Sequence, residues 1–381
     1  MTTSGLRIGY SFWGFLGDTK HAPVTGDEVS SPDGNATYSW AVVHRAVERG
    51  HTVVPLMPDR DRIAFNVMGP ELFASFNKDA RAKAYSHLRA NRLMFNDTAS
   101  MKLDAVLLEW RWPIPGRNCA GPLGLQYDSP DLDLQESFLC RYLDQGVPTI
   151  IWDLDHKLND SDVTALKARG PVDFIETSIH PKPWARRVNP PTVEELLLEI
   201  DSRSAHGHAA AYVGNRYERD DEIDKWIEPL AVKMAVDDDR FLQTVLVGKG
   251  WFDNDALLRW PIVSRMERVS TRGLVDLYSS AGIVPLLAKQ SYRESGFMTP
   301  RNVEAVMFGA LPVGLNGHAA KRSGVWRVAY SLDELYELAG QAVSMSKTER
   351  SIARVEVAHQ LARWDAAFFW ATVELCINAA S

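Results

Sequence analysis

Short apolar runs alternate with longer amphipathic stretches along the first half of the chain. Leu6 to Phe12 reads as a buried strand, followed by a loop rich in Gly, Asp and Ser and a helix from about Asn35 to Arg49. Gly50 stops that helix, and Thr52 to Met57 resumes as a strand. A helical stretch around Pro70 to Arg92 leads to a strand at Ala105 to Glu109. A helix near Leu134 to Leu143 ends at Gly146, before a strand at Pro148 to Asp153. This β/α rhythm predicts a doubly wound parallel sheet.

A charged, Pro-rich passage from Pro181 to Pro191 interrupts the pattern. A second β/α series then starts at Ala209 to Gly214. It continues through Thr244 to Gly248, Gly282 to Leu287 and Ala310 to Gly314, and the region from Ser331 to Leu375 reads as almost wholly helical. Two Rossmann-like domains facing across a cleft is the simplest architecture, with function expected on the loops beyond the carboxyl ends of the strands. No internal repeat and no low-complexity segment breaks this picture.

Composition narrows the class. The 381 residues suffice for two domains with a core each, and 45% apolar against 24% charged residues describes a globular chain. No apolar run reaches membrane-spanning length and no signal-peptide pattern opens the chain, so a cytoplasmic protein is expected. Cys119, Cys140 and Cys376 lack metal-ligand spacing. The net charge of -7 argues against non-specific nucleic-acid binding, while leaving room for a local basic cleft.

Candidate chemistry concentrates in three places. In the stretch from Glu294 to Val313, Arg301 and Glu304 lie three residues apart at a helix start and share one face. Arg301, with backbone N–H groups, suits a phosphate, and Glu304 suits a ribose diol, the two halves of a nucleotide-sugar. After the strand at 148–153, Asp153 and Asp155 alternate in direction, so only one need face the cleft. Asp155, further out, is the better general base; the alternative is that both aspartates cap the next turn. After the first strand of the second domain, Gly214 permits a tight turn, and Arg216 and Arg219 offer bidentate donors to a diphosphate. The alternative there is a solvated charged loop.

A fourth cluster interleaves cations with aromatics: Trp110, Arg111, Trp112 and Arg117, with Lys182, Trp184, Arg186 and Arg187 later. Such a surface binds phosphates and stacks on bases, or is a packed tryptophan rim with solvated arginines. His206 and His208 form a pair with no third ligand nearby, and no metal-ligand cluster is visible.

In this order, these segments resemble the bacteriophage DNA β-glucosyltransferases that act on 5-hydroxymethylcytosine, members of the GT-B fold class. The resemblance rests above all on Gly296-Phe-Met-Thr-Pro-Arg301-Asn-Val-Glu304-Ala-Val-Met307, with Leu154-Asp155-His156-Lys157 and the Gly214 to Arg219 loop. It implies Asp155 as catalytic base, and Arg301 and Glu304 on the diphosphate and ribose of a UDP-sugar. It also implies an inverting transfer of a sugar, glucose, to a hydroxymethylated pyrimidine of double-stranded DNA. Asn35, Arg111, Arg117, Lys157, Lys182 and Arg186 fall on the acceptor side. A divalent ion, Mg2+ or Mn2+, is plausible for product release. The implied organisation is an acceptor domain over 1–190, a donor domain over 191–360 and a closing helix over 361–381 that returns to the first domain. Transfer to a protein or small-molecule hydroxyl is the alternative function.

Overall fold

The computed structural model describes residues 5–11, 41–56 apart from 44 and 47, 102–110, 140–192, 207–237, 242–269 and 271–380. The helical stretch expected at 70–92, the loop of 14–31, Asn35, Arg111 and Arg117 lie outside the described residues.

Two parallel six-stranded sheets organise the chain. The first comprises β1 (Arg7–Ser11), β2 (Thr52–Pro55), β3 (Ala105–Trp110), β4 (Thr149–Asp153), β5 (Val172–Glu176) and β6 (Arg186–Arg187), in the order β2-β1-β3-β4-β5-β6. Every residue of β3 and β4 is buried, as expected for strands covered by helices on both faces. The Pro-rich passage does more than interrupt the pattern: Arg186 and Arg187 pair with Ile175 and Glu176, adding a sixth strand at the sheet edge.

The second sheet comprises β7 (His208–Val213), β8 (Gln243–Val247), β9 (Ser264–Met266), β10 (Ala281–Pro285), β11 (Leu311–Leu315) and β12 (Arg327–Ala329). Its order, β12-β11-β10-β7-β8-β9, reverses direction between β7 and β10. The loops leaving those two adjacent strands diverge to opposite faces, which opens a crevice at their carboxyl ends. Three tryptophans, Trp226, Trp251 and Trp260, are fully buried behind that end of the sheet.

Two seams join the sheets. Past β5, the backbone of Thr177 to His180 pairs with Ser295 to Met298: Met298 N–H donates to Thr177 O at 2.8 Å and Ile179 N–H to Gly296 O at 3.1 Å. At the far end, Thr192 pairs with the chain beside Asp365, and the helix Ala366–Ala380 packs on β4 and β5 of the first sheet. Phe369 lies against Trp152 with ring centroids 4.7 Å apart, and Trp370 Nε1 donates to Val42 O at 2.7 Å. Arg45 grips Asp365 with two nitrogens, a nearly buried ion pair that fixes the entry of this helix. Among the described residues, no helix is long and apolar enough to cross a membrane.

Candidate active site

The crevice between β7 and β10 gathers cations. Helix Arg301–Phe308 starts at its rim, ends on Gly309 in a left-handed conformation, and is buried along most of its length. Arg301 reaches back to β7, donating Nε–H to Val213 O at 2.5 Å and lying over the Tyr212 ring at 4.9 Å. Burial works against its charge, and Tyr212, Tyr278 and Glu304 more than restore it, leaving its pKa raised. The hydroxyls of Tyr212 and Tyr278 find no hydrogen-bond partner among the described residues. Glu304, one turn along, is 6% exposed, and its charge bears on Arg301 and Tyr278.

Gly214 is glycine for a steric reason. A Cβ there would stand 2.6 Å from Arg301 Nη2 and 2.6 Å from the Tyr212 hydroxyl. The loop is braced from behind: Trp251 Nε1 donates to Gly214 O at 2.8 Å, and Arg216 N–H to Lys249 O at 3.0 Å.

The two arginines of this loop have different environments. Arg216 forms fork-to-fork pairs with Asp220 and Asp255, its Nη2 2.6 Å from an oxygen of each, and lies over Trp260. Its charge is neutralised and its pKa raised by these hydrogen bonds. Arg219, 7% exposed, donates only to the carbonyls of Asn215 and Tyr217 and forms no ion pair among the described residues. Burial lowers its pKa. A buried guanidinium without a counter-charge is costly, and an anion offsets that cost.

Across the crevice stands the turn after β4. Asp153 is fully buried and accepts the backbone N–H groups of Lys157 and Leu158 at 2.8 and 3.0 Å and the Lys182 ammonium at 3.1 Å. It is the cap of the turn, and burial pushes its carboxyl up against the opposing pull of Lys182. Asp155 and Lys157 stand further out and are half-buried. His156 between them takes a left-handed φ of 56°, uncommon for a residue with a Cβ and a frequent mark of functional turns. Tyr292, from the second domain, donates its hydroxyl to Asp155 O at 3.2 Å.

Asp153, His156 and Glu176 bring one ligand atom each to within 4.8 Å of one another, a grouping that spacing along the chain does not reveal because Glu176 comes from the neighbouring strand. Both Glu176 oxygens and His156 Nδ1 are buried and make no hydrogen bond among the described residues. The Lys182 ammonium lies beside Asp153, and His156 Nδ1 faces Glu176 at 3.3 Å, an ion pair once the imidazole is protonated.

No protein-family model matches the sequence, and no curated protein matches it. Solved structures do. The chain is similar to an α-glucosyltransferase in complex with UDP and a 13-mer DNA containing a central A:G mismatch, with a TM-score of 0.54 at 12% identity over 98% of this chain and 99% of that one. It is similar to a T4 phage β-glucosyltransferase mutant in complex with UDP-glucose, at TM-score 0.56, 10% identity and the same coverages. A complex of the T4 phage enzyme with UDP and Mn2+ gives 0.55 at 11%, again over 98% and 99%. The chain has the GT-B fold.

Within this GT-B fold, Gly214, Arg219 and Glu304 each lie close to Arg301, and the charges of Asp155, Lys157 and Arg219 all bear on Lys289. Glu294 stands apart, exposed on the helix Gln290–Ser295 and accepting from Gln290 at 2.8 Å. On the acceptor side, Lys182 is turned inward to Asp153 and Leu158 O, and Arg186 pairs with Asp173 at 2.8 Å while half-exposed. Sequence reasoning passed over Lys289, Tyr292 and Glu176. Lys289 follows β10, and the adjacency of β10 to β7 would have singled it out, but strand order is not written in local periodicity.

Proposed function

We propose that this protein is an inverting glycosyltransferase that moves a sugar, glucose, from a UDP-sugar to the hydroxymethyl group of a modified pyrimidine in double-stranded DNA. The observation that carries the reading is a pair of arginines, the buried Arg219 and the half-buried Arg301, whose side chains hydrogen-bond only to main-chain and hydroxyl oxygens among the described residues, at the strand-order reversal opposite the Asp155 turn. An anionic ligand suits that crevice, and a diphosphate matches two guanidinium forks. Glu304 on the helix wall accepts from the ribose hydroxyls. Arg216, held by its own carboxylates, orders the loop.

The transfer balances as a single displacement. The acceptor hydroxyl oxygen forms a bond to the anomeric carbon as the bond from that carbon to the phosphate oxygen breaks. The bonding pair leaves on UDP, and the hydroxyl proton passes to the Asp155 carboxylate. Arg219 and Arg301 stabilise the charge growing on the leaving diphosphate. A base within a duplex cannot present its hydroxymethyl group so deep in a cleft, so it leaves the stack. The DNA acceptor is supported by the α-glucosyltransferase neighbour held with DNA and by the aromatic and basic segments of the first domain.

The test offers UDP-sugars with DNA carrying 5-hydroxymethylcytosine, 5-hydroxymethyluracil or unmodified bases, and reads nucleosides by mass spectrometry. Transfer to a hydroxymethylated base, abolished in Asp155→Asn with UDP affinity retained, supports the proposal. Sugar on none of the three DNAs, with transfer to a protein hydroxyl instead, sinks the DNA acceptor.

A further inference from the structure

One buried cation at the strand-order reversal is still without a role. Lys289 leaves β10 four residues past Pro285 and is 6% exposed. Its ammonium lies 4.3 Å from the ring centroid of Tyr292 and 5.8 Å from that of Tyr217. Among the described residues it makes no hydrogen bond and no ion pair, whereas Lys182, the half-buried lysine of the opposite turn, is matched to Asp153. Two aromatic faces supply part of the stabilisation an ammonium loses on leaving water, but no counter-charge. The charges that bear on it are mixed: Lys157 and Arg219 repel it, and Glu218 and Asp155 attract it. It therefore sits between the arginine loop of the second domain and the base-bearing turn of the first.

Resting on the UDP-sugar reading above, we propose that Lys289 is a third cation of the anion site and holds the phosphate nearest the reacting carbon. Arg219 and Arg301 are anchored to the β7 side of the crevice, and Lys289 comes from the β10 side, so the three close on an anion from both diverging loops. Its reach toward Asp155 places it on the leaving-group end rather than on the nucleoside. The ammonium is held ready by Tyr292, whose hydroxyl is already committed to Asp155 O. An anion at this point supplies the counter-charge that the unliganded crevice lacks.

The experiment measures calorimetric affinities of the full chain and of Lys289→Met and Lys289→Arg for UDP, UMP and inorganic pyrophosphate. Lys289→Met is expected to weaken UDP and pyrophosphate by about 10- to 100-fold, the loss of one charge-assisted contact, with UMP changed by less than about 3-fold. Lys289→Arg should recover part of the loss. Burial holds the lysine below its ordinary pKa, so as pH is raised UDP binding should take up more protons in the parent than in Lys289→Met. Equal UDP and pyrophosphate affinities in the parent and a Lys289→Met variant with parental melting overturn the assignment. Lys289-dependent binding of pyrophosphate with none of UDP keeps the anion site and removes the uridine-nucleotide reading. Binding of neither by the parent overturns both.

Discussion

The hydroxyl of Tyr292 donates to the main-chain carbonyl of Asp155 at 3.2 Å, so the candidate base is held by a residue of the opposite domain. The same ring carries the Lys289 ammonium and stacks on Phe297 with centroids 4.4 Å apart, while Phe297 also meets the His156 ring edge-on. The segment from Tyr292 to Met298 thus touches the base-bearing turn, pairs with the strand leaving β5 and leads into Arg301.

Gly214→Ala tests the close approach of the loop to Arg301. The added Cβ meets Arg301 Nη2 and the Tyr212 hydroxyl at 2.6 Å, and the flexible guanidinium is the group that gives way. UDP affinity should fall by about 10-fold or more and the melting temperature should fall with it, because Gly214 holds a φ of 158° and the Tyr212 hydroxyl belongs to a buried ring. Calorimetry alongside a melting curve reads both outcomes.

Glu304→Gln addresses the ribose. The parent should prefer UDP to its 2′-deoxy analogue by about 10-fold, the worth of one hydrogen bond to a charged acceptor, and the variant should lose most of that preference. An unchanged preference in a folded variant would remove Glu304 from the ribose contact.

Lys182→Met separates an internal brace from a DNA contact. The ammonium offsets the charge of a fully buried Asp153, which burial already pushes toward its neutral form. Two backbone N–H donors remain after the substitution, so a destabilisation of about 2 kcal/mol is expected in chemical denaturation. Parental stability with weakened DNA binding would assign Lys182 to the acceptor surface instead.

The docking of the last helix predicts an acid limit. Glu374 accepts from Arg49 at 2.6 and 2.8 Å and lies 2.8 Å from His51, and the Arg49 hydrogen bonds hold its carboxyl below the usual range. With the folded pKa below the unfolded one, its contribution is complete above the ordinary glutamate pKa of about 4.3 and is lost as pH falls through the folded value. Both side chains are partly exposed, so Glu374→Gln should cost about 0.5–1 kcal/mol at neutral pH. The gap between parent and variant should close as melting is followed from about pH 6 to pH 3.

The sequence by itself determined eight of the twelve described strands, the helix stops at Gly50 and Gly146 and the spacing of Arg301 and Glu304 on one turn, but not β5, β6, β9 or β12. Each feature it determined depends on neighbours within a few residues: continuous apolar runs, a glycine after a periodic stretch, an i to i+3 spacing on one turn. The glycine at 214 was legible as a tight turn, although its reason, the guanidinium of Arg301 against it, was not. Only the tertiary structure decided how charges are matched. Arg216 and Arg219 look alike in a chain of alternating charges, yet Asp255, far along the sequence, neutralises the first and leaves the second to main-chain oxygens. The same holds for Asp153 against Asp155, since the cap is identified by Leu158 N–H and by Lys182 arriving from beyond β5. Lys289 joins the anion crevice only because β10 lies beside β7, an adjacency set by the order in which strands pack rather than by any local pattern.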